Sequence, residues 1–245
     1  LQLLVILAYK FNMNSYKEKK ELVNNVFDVA SKKYDLMNDL MSLGVHRIWK
    51  KKVIDWIKPR YGDSLIDVAS GTGDMAKLFS LHTKNKTKIS CVEPNDKMYQ
   101  IGKEKLKNFE NISWIKASSE NLPFKENEFD FYTISYGIRN VNQIEKCLSE
   151  AYRVLKPGGR FFCLEFSKID NELIDFFYQK YSKVIPTIGS FFGGGSMPYK
   201  YLIESISKFY DQKTLKDLIV KSGFTNVEYR NLSNGISAIH TGWKI

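Results

Sequence analysis

The sequence contains no long uninterrupted run of apolar residues. A helix needs roughly 18 to 20 such residues to cross a bilayer, and the longest candidate, LQLLVILAY at the start of the chain, is far shorter. We therefore expect no membrane-spanning helix. Residues 1–20 carry lysine and no acid before Glu18, which favours either a disordered segment or the remnant of a targeting sequence.

Cysteine and histidine are also scarce. The three cysteines, Cys91, Cys147 and Cys163, form no C-x-x-C pair and lie in apolar patterns. We therefore predict buried thiols in a reducing compartment. The three histidines are widely separated as well, and no group of residues has metal-ligand spacing. The sequence thus predicts no metal site.

Acidic residues are outnumbered by basic ones, 27 against 37, which gives a formal net charge of +10. Such a surface attracts anions, for example lipid head groups or nucleic acid. The lysines are scattered rather than gathered into one run, so an ordinary solvated surface explains them equally well. No long stretch is proline-rich or repetitive, and we predict a single domain over residues 21–245.

Short β-branched runs alternate with amphipathic segments between residues 64 and 166. This alternation is typical of βαβ units and predicts an α/β fold with a parallel sheet. We expect a helical cap before it, at 21–58, and a helical lid after it, at 170–210. Two more strands, in TNVEYRNL and ISAIHTGWKI, should form a hairpin at the sheet edge. The predicted parallel strands are SLIDVA, KISCVE, SWIKAS, FDFYTISY and RFFCLEF.

A glycine loop, DVASGTGD at 67–74, follows the first predicted strand. Gly71 and Gly73 have no Cβ, so a ligand can touch the main chain and the turn can adopt positive φ. Glu93 ends the second strand about 20 residues later, where a carboxylate can accept hydrogen bonds from a ribose diol. The loop and this acid together predict a nucleotide-like ligand.

Three interpretations of this loop remain open. It satisfies G-x-G-x-x-A, the pattern of a dinucleotide site, but Asp74 already places a carboxylate where the pyrophosphate would bind. S-adenosylmethionine carries a sulfonium, an ammonium and one carboxylate, and Asp67 and Asp74 would face its cationic groups. The third interpretation is a glycine turn that only joins a strand to a helix.

Several motifs together resemble one known family. In order, the chain contains VFDVASKKYDLMNDLMSLGVHRIWK, DVASGTGD, SENLPF, YGIRNV, RVLKPGGRFFCLEFS, YLIESI and GISAIHTGWK. They are similar to the ubiquinone/menaquinone biosynthesis C-methyltransferases, and most of all to the mitochondrial ubiquinone branch. The resemblance runs from about residue 21 to the end. It implies the class I S-adenosylmethionine-dependent methyltransferase fold, which is Rossmann-like, with a mostly parallel seven-stranded sheet and helices on both faces.

The resemblance also implies an activity and a location. A polyprenyl-methoxy-benzoquinol would be methylated on a ring carbon, with S-adenosylmethionine as donor, in ubiquinone biosynthesis. The protein would be peripheral to the matrix face of the mitochondrial inner membrane. Its expected partners are other quinone-biosynthesis proteins and a second copy of itself, and no nucleic acid.

The family's cofactor contacts fall on matching positions of this chain. They are Thr72, Glu93, Ser118, Ser119 and Ser135, and with Asp67, Gly71 and Gly73 from the loop they form the predicted cofactor site.

The chain departs from the family pattern at several of these places. Ser70 stands where a glycine is usual and adds a side chain beside the cofactor. Glu93 replaces the commoner aspartate and is one methylene longer. Ser118 and Ser119 replace an Asn/Asp-Ala pair, and Pro198 stands in the lid where a serine is usual. These changes leave the cofactor site chemically intact and affect the lid more.

Methylation of a ring carbon requires an electron-rich ring, and ionisation of a neighbouring hydroxyl makes it so. Arg139 keeps its proton, so we predict that it stabilises the phenolate electrostatically, while Asn140 orients the same oxygen. Tyr34 and Asp35 share a helical face with Asn38 and could cap the ring, with Asp35 as candidate base. The alternative for Arg139 is a surface salt bridge. The alternative for Tyr34, Asp35 and Asn38 is a structural helix cap.

A polyprenyl tail would need an apolar channel. Apolar and aromatic residues flank the glycine-rich loop of the predicted lid and could line such a channel, although core packing would also explain them. They are Ile185, Ile188, Phe191, Phe192, Met197, Tyr199 and Tyr201.

Three other functions remain to be weighed. A nucleic-acid methyltransferase would suit the positive charge, but ISYGIRN lacks the Asn/Asp-Pro-Pro-aromatic motif of many amino-methylating enzymes. A scaffold that binds the cofactor without catalysis would agree with the loss of glycine at Ser70. A demethylmenaquinol methyltransferase would have the same chemistry and a different quinol.

Overall fold

The computed structural model of the protein describes most of the chain after residue 17. The described residues are 18–19, 21–29, 31, 38–39, 42, 44–169, 171–173, 175–176, 178–181, 184 and 197–245. The predictions for Tyr34, Asp35 and the lid residues Ile185, Ile188, Phe191 and Phe192 lie outside these residues.

Seven strands form one mixed sheet in the order β3-β2-β1-β4-β5-β7-β6. The first five strands are parallel, and β7 runs antiparallel to both β5 and β6. This sheet confirms the predicted α/β class and the edge hairpin. The strands are β1 Ser64–Val68, β2 Lys88–Val92, β3 Ile112–Ile115, β4 Phe129–Ser135, β5 Leu155–Phe166, β6 Thr225–Leu232 and β7 Ser237–Trp243.

Helices connect the strands and cover both faces of the sheet. The bounds are α1 His46–Ile57, α2 Asp74–His82, α3 Asp96–Lys105, α4 Ile144–Val154, α5 Met197–Lys208 and α6 Gln212–Lys221, with a 3-10 turn at Ile138–Asn140. Residues 21–29 are helical as well. A glycine with positive φ, Gly223, follows α6, as is common just after the end of a helix.

The hydrophobic core is divided between the two faces of the sheet. Side chains of a strand alternate between faces, so Leu65 packs with Trp49 and Phe79 beneath α1 and α2. Its neighbour Ile66 packs with Leu148 on the other side, beneath α4. Burial on both faces explains why β1 reads as an apolar run broken only by its one acid.

Two strand boundaries differ from the prediction. β3 ends at Ile115, three residues before the predicted end, because the chain then turns through a bridge between Ser118 and Asn121. β5 begins at Leu155, ahead of the predicted start at Arg160, and so includes the PGG turn at 157–159. Leu155 pairs with Phe129 ahead of an irregularity in the register, so the turn is absorbed as a bulge within the strand.

The described residues can be compared with the expected absences. No helix among them is long and apolar enough to cross a membrane. No group of three His, Cys, Asp or Glu side chains in this part of the chain could hold a metal ion. Cys91, Cys147 and Cys163 are free and buried, which confirms that they are buried thiols.

Candidate functional site

Two adjoining cavities lie at the carboxyl ends of β1, β2 and β4. Their volumes are about 120 Å³ and about 20 Å³, and Ala69, Gly71 and Tyr136 line both. Ligands of open α/β sheets bind at the carboxyl ends of the strands. We therefore regard the two cavities as one candidate site and call them the large and small chambers of the crevice.

A larger groove, of about 990 Å³, lies elsewhere on the protein. Its walls include Asp63, Asp130 and Gly158, which stand at the amino ends of the parallel strands. That is the opposite edge of the sheet from the glycine loop. The groove is larger, but it lies at the wrong edge of the sheet for a ligand of this kind of fold, so the crevice remains the candidate site.

The glycine loop and the second strand meet at the carboxylate of Glu93. The amide of Gly71 donates to Glu93 Oε2 at 2.8 Å, and the amide of Asn95 donates to Oε1 at 2.9 Å. Burial raises the pKa of Glu93 to about 7, although both amide hydrogen bonds act to lower it. A carboxylate fixed in this way on the wall of the large chamber suits a ribose diol.

Asp67 lies in the small chamber and is almost completely buried. Thr133 Oγ1 donates to its Oδ1 at 2.7 Å, but its Oδ2 is buried without a partner. Burial raises its pKa to about 7, against the lowering effect of that hydrogen bond. Ser135, in the same chamber, also has a buried hydroxyl oxygen without a partner. Unsatisfied buried polar atoms are costly, so this chamber is chemically prepared for a polar, cationic group.

The serine that departs from the family motif does not obstruct the crevice. Ser70 Oγ donates to the carbonyl oxygen of Asp67 at 2.6 Å, which holds the side chain against its own loop. The Ser70 side chain is thus held within the turn by this hydrogen bond.

Gly73 lines neither chamber. It precedes α2 with φ of +82°, and a Cβ at this position would lie 2.5 Å from Leu106 Cδ1 and 3.0 Å from Trp114 Cζ2. The structure thus gives Gly73 a packing role, whereas the sequence predicted a cofactor contact. A glycine is required here by its φ and by the approach of α2 to these side chains.

Asp74 is compensated by lysines of the protein itself. Its Oδ2 lies 2.8 Å from Lys50 Nζ and its Oδ1 lies 2.8 Å from Lys105 Nζ. Burial alone would raise the pKa of Asp74, but the charges and hydrogen bonds of the two lysines hold it well below its usual range. Asp74 therefore does not offer a free charge to a ligand, neither to a pyrophosphate nor to the cationic groups of S-adenosylmethionine.

The other predicted cofactor residues also reach the crevice. Ser118 and Ser119 line the large chamber, and Ser119 Oγ donates to Glu120 Oε2 at 3.0 Å. Thr72 lines the small chamber, where its hydroxyl accepts a hydrogen bond from Lys105 Nζ at 3.1 Å. Seven of the eight predicted cofactor residues thus line the crevice and only Gly73 does not.

Arg139 is buried, so it is not a surface salt bridge. Its Nη1 donates to Glu165 Oε1 at 2.7 Å and to the carbonyl oxygen of Tyr136 at 2.6 Å. Its guanidinium carbon also lies 5.7 Å from the centre of the Phe166 ring. Arg139 itself lines neither chamber, but these contacts fix it beside Tyr136, which lines both.

Glu165 was not among the residues predicted from the sequence. Burial raises its pKa, while the charge of Arg139 acts in the opposite direction. Its Oε1 also accepts from the amide of Phe166 at 2.9 Å. The available signal was a single acid at the end of an otherwise apolar strand, RFFCLEF, because such a residue is rarely buried without a cationic partner.

Asn140 connects the crevice to α5. Tyr201 OH donates to Asn140 Oδ1 at 2.9 Å, and Asn140 Nδ2 is buried without a partner. Asn140 lines the large chamber, and Tyr201 was predicted as a lid residue. The free amide hydrogens can therefore donate to an oxygen of a ligand. Asn38, predicted beside Tyr34 and Asp35, is buried, and its carbonyl oxygen accepts from Ser42 Oγ at 2.7 Å.

The two buried histidines have structural partners. His46 Nδ1 lies 2.9 Å from Ser42 Oγ, and His240 Nε2 lies 2.9 Å from the carbonyl oxygen of Gln212. Burial lowers the pKa of each to about 4. Both are therefore neutral near pH 7.

Comparison with known proteins gives a consistent match over nearly the whole chain. The model of the ubiE/COQ5 methyltransferase family matches residues 13–244. A protein of Brucella abortus named ubiquinone/menaquinone biosynthesis C-methyltransferase UbiE is 45% identical, over 97% of this chain and 91% of its own length. Its namesake in Brucella anthropi is 46% identical, over 97% and 93%.

Solved structures share the fold at lower sequence identity. A SAM dependent methyltransferase from Aquifex aeolicus superposes with a TM-score of 0.63 at 17% identity, over 88% of this chain and 97% of its own. A SAM-dependent methyltransferase from Thermotoga maritima gives a TM-score of 0.65 at 23% identity, over 90% and 99%. At these identities the likeness concerns the fold alone.

Proposed function

The chain belongs to the ubiE/COQ5 methyltransferase family, and from this premise we propose that it methylates a ring carbon of a polyprenyl-methoxy-benzoquinol in ubiquinone biosynthesis. It is an S-adenosylmethionine-dependent C-methyltransferase. The single observation that carries the assignment to this crevice is the buried, unpartnered Oδ2 of Asp67.

The residues of the crevice fit S-adenosylmethionine. Asp67 offers a carboxylate oxygen to the ammonium group, and Glu93, fixed by two backbone amides, offers its carboxylate to the ribose hydroxyls. Ser118 and Ser119 provide polar atoms for the adenine edge on the wall of the large chamber. A dinucleotide would bring a pyrophosphate close to Asp67 and Glu93, which disfavours it.

The donor supplies an electrophilic methyl group on a sulfonium sulfur, and the protein must prepare the acceptor. Arg139 is held by Glu165 and by the carbonyl oxygen of Tyr136, a residue that lines both chambers, and from there its permanent charge can stabilise a phenolate. Asn140 Nδ2 can donate a hydrogen bond to the same oxygen. Both actions increase electron density on the ring carbon that attacks.

Glu165 acts on this chemistry through Arg139. Its Oε1 already accepts from Arg139 Nη1 and the Phe166 amide, and its Oε2 lies 3.4 Å from the amide nitrogen of Arg139. With both oxygens engaged, the carboxylate is poorly placed to accept a proton from the acceptor. We therefore assign Glu165 as a positioning residue that fixes the guanidinium.

The remaining contribution is alignment and exclusion of water. Val23 and Phe27 of the helical residues 21–29 line the large chamber together with Met98 from α3. Apolar walls of this kind keep water away from the sulfonium and strengthen the electrostatic effect of Arg139. Alignment of carbon, methyl and sulfur lowers the entropic part of the barrier.

The experiment that tests this function follows a labelled methyl group. The protein is incubated with ¹³C-methyl S-adenosylmethionine and a short-chain prenyl methoxy-benzoquinol, and the product is examined by NMR. A label on the ring carbon supports the proposal. A label on oxygen, or no transfer although the donor binds, contradicts it, and the second result favours the scaffold.

A parallel reaction with a demethylmenaquinol analogue decides between the quinols. We propose the ubiquinone precursor because the motifs are most similar to that branch. The turnover ratio of the two acceptors measures the preference, and a higher rate with the naphthoquinol would assign the chain to menaquinone synthesis.

We also propose a place and partners for the reaction. A lipid-soluble acceptor and a net charge of +10 support peripheral contact with an anionic membrane, on the matrix face of the mitochondrial inner membrane. Other quinone-biosynthesis proteins and a second copy of the chain are the partners to seek. Release of the protein from isolated mitochondrial membranes by salt, followed by chemical cross-linking, tests these points. Recovery only from another compartment would contradict them.

A further inference from the structure

Lys50 is a buried lysine next to the glycine loop. It lies on the inner side of α1, where its neighbours on that face, Trp49, Val53 and Ile54, belong to the core. Its side chain is only 9% exposed. Lysine is seldom buried without a specific electrostatic purpose, because removal of its charge from water is costly.

Lys50 lines the small chamber, whose walls also include Asp67 and Asp74. It lies 2.8 Å from Asp74 Oδ2, and its charge lowers the pKa of Asp67 against the larger effect of burial. The same small space therefore presents a buried carboxylate with an unpartnered oxygen and a buried ammonium group.

A second lysine also neutralises Asp74, so the positive charge of Lys50 is not fully compensated. Lys105 Nζ lies 2.8 Å from the other oxygen of Asp74, so two ammonium groups share one carboxylate. Lys105 is 30% exposed and does not line either chamber, whereas Lys50 is buried and does. Lys105 thus compensates Asp74 from outside, while Lys50 keeps an attraction for an anion inside.

The amino-acid end of S-adenosylmethionine is a zwitterion. Its ammonium and its carboxylate are attached to the same carbon atom. The ammonium therefore requires a negative partner, and the carboxylate requires a positive partner close by. Asp67 and Lys50 are charges of opposite sign on the walls of one chamber of about 20 Å³. Cationic groups fixed by packing bind carboxylates more strongly than exposed ones, because water competes less.

We propose that Lys50 binds the carboxylate of the methionine moiety of S-adenosylmethionine, and that Asp74 and Lys105 position its ammonium group for this contact. The proposal rests on the proposed function, which supplies the donor. It makes Lys50 a specificity-determining residue, which selects donors that carry the α-carboxylate.

The test uses two ligands that differ only in this carboxylate, S-adenosylmethionine and decarboxylated S-adenosylmethionine. Calorimetry measures their dissociation constants for the wild-type protein, Lys50→Met and the matched control Lys51→Met, which replaces an exposed lysine of the same helix. Loss of a charge-assisted hydrogen bond weakens binding about 10- to 100-fold. We expect wild type to prefer S-adenosylmethionine by that factor and Lys50→Met to lose most of the preference.

The expected pattern in the variants is specific. Lys50→Met should weaken the binding of S-adenosylmethionine by about the same factor by which wild type prefers it over the decarboxylated ligand. The affinity for decarboxylated S-adenosylmethionine should change by less than about threefold. Lys51→Met should retain the preference, since it leaves Lys50 and its partner Asp74 in place. Because the buried methionine could disturb folding, Lys50→Arg provides a second variant that keeps the charge. It should keep the preference for the carboxylate within about threefold.

Several results would overturn the proposal. Equal weakening of both ligands by Lys50→Met would assign Lys50 to structure alone, and an unchanged preference would remove it from the site. A wild-type protein that does not distinguish the two ligands would overturn it without any variant. If wild type bound neither ligand at millimolar concentration, the proposed function itself would fail, and this outcome is distinct from the others.

Discussion

Arg139 Nη1 lies 2.7 Å from Glu165 Oε1, and both side chains are buried. Replacement of one member of a buried pair leaves an uncompensated charge, which typically costs about 3 to 5 kcal/mol. Arg139→Ala should therefore lower the free energy of unfolding by that amount and abolish turnover, while S-adenosylmethionine binds nearly as before. Urea unfolding, a methyl-transfer assay and calorimetry measure the three quantities.

An exposed ion pair provides the control for this prediction. Arg47→Ala disrupts a pair with Asp39 in which the arginine side chain is 65% exposed. Exposed pairs contribute roughly 0 to 1 kcal/mol, so this variant should unfold almost like wild type. Unchanged turnover in Arg139→Ala would remove Arg139 from the mechanism, and equal destabilisation by the two variants would contradict the energetic argument.

The role of Glu165 can be separated from that of Arg139. Glu165→Gln keeps the size and one acceptor oxygen but removes the charge that fixes the guanidinium. We expect a fall in turnover of roughly tenfold to a hundredfold, with donor affinity within about threefold of wild type. A positioning role also predicts that Glu165→Asp recovers part of the turnover. If Glu165→Gln were fully active, the carboxylate would serve only the packing of the strand.

The carboxylates of Asp67 and Glu93 predict how donor binding depends on pH. Burial raises the pKa of each to about 7, and the ionised forms bind an ammonium group and a ribose diol. Affinity for S-adenosylmethionine should therefore fall as the pH decreases below 7, because the two carboxylates of the free protein become protonated. Calorimetry from pH 5.5 to 8.5 measures this. Asp67→Asn should weaken the donor about 10- to 100-fold and leave only the smaller pH dependence of Glu93. A pH-independent affinity would contradict the assignment.

The same raised pKa has a consequence for stability. Between its ordinary pKa of 3.8 and about 7, folded Asp67 holds a proton that the unfolded chain has lost. The free energy of unfolding must then decrease as the pH rises through that window. Asp67→Asn removes this contribution, so the variant should gain stability relative to wild type by on the order of 4 kcal/mol between pH 4 and pH 8. Parallel pH profiles of the two proteins in urea would contradict it.

Gly73 and Gly62 provide a comparison between crowding and backbone strain. Both have positive φ, but a Cβ at Gly73 would meet Leu106 and Trp114, whereas a Cβ at Gly62 would meet nothing within 4 Å. Gly62→Ala should cost about 1 kcal/mol of unfolding free energy, and Gly73→Ala a further 1 to 3 kcal/mol or so from overpacking. Urea unfolding measures both. Equal costs would show that the neighbours of Gly73 move aside freely.

The sequence predicted those parts of the molecule in which local pattern and packing agree. Strand β1 is a short apolar run, and α4 has its buried residues Cys147, Leu148, Ala151 and Val154 at helical spacing along one face. Both patterns are visible in the sequence, so the alternation of strands and helices that indicates a parallel sheet could be recognised. Gly71, Glu93 and Ser135 could be placed together because the ends of parallel strands meet at one edge of the sheet.

The missed residues depend on contacts between distant segments. Lys50 lies in a run of lysines that reads as solvated surface, and only the helical phase of Trp49, Val53 and Ile54 indicates that it faces inward. Its partner Asp74 is 24 positions away in the chain. The partnership of Arg139 with Glu165 spans 26 positions and joins the 3-10 turn after β4 to the end of β5, which no local pattern specifies.

Direct titration of the wild-type protein tests the central claim, that this crevice cradles a cationic methyl donor. Calorimetry at pH 8, where Asp67 and Glu93 are ionised, compares S-adenosylmethionine with NADH. We predict saturable binding of S-adenosylmethionine well below millimolar concentration and no heat from NADH. Binding of the dinucleotide instead, or no binding of S-adenosylmethionine at millimolar concentration, would contradict the account.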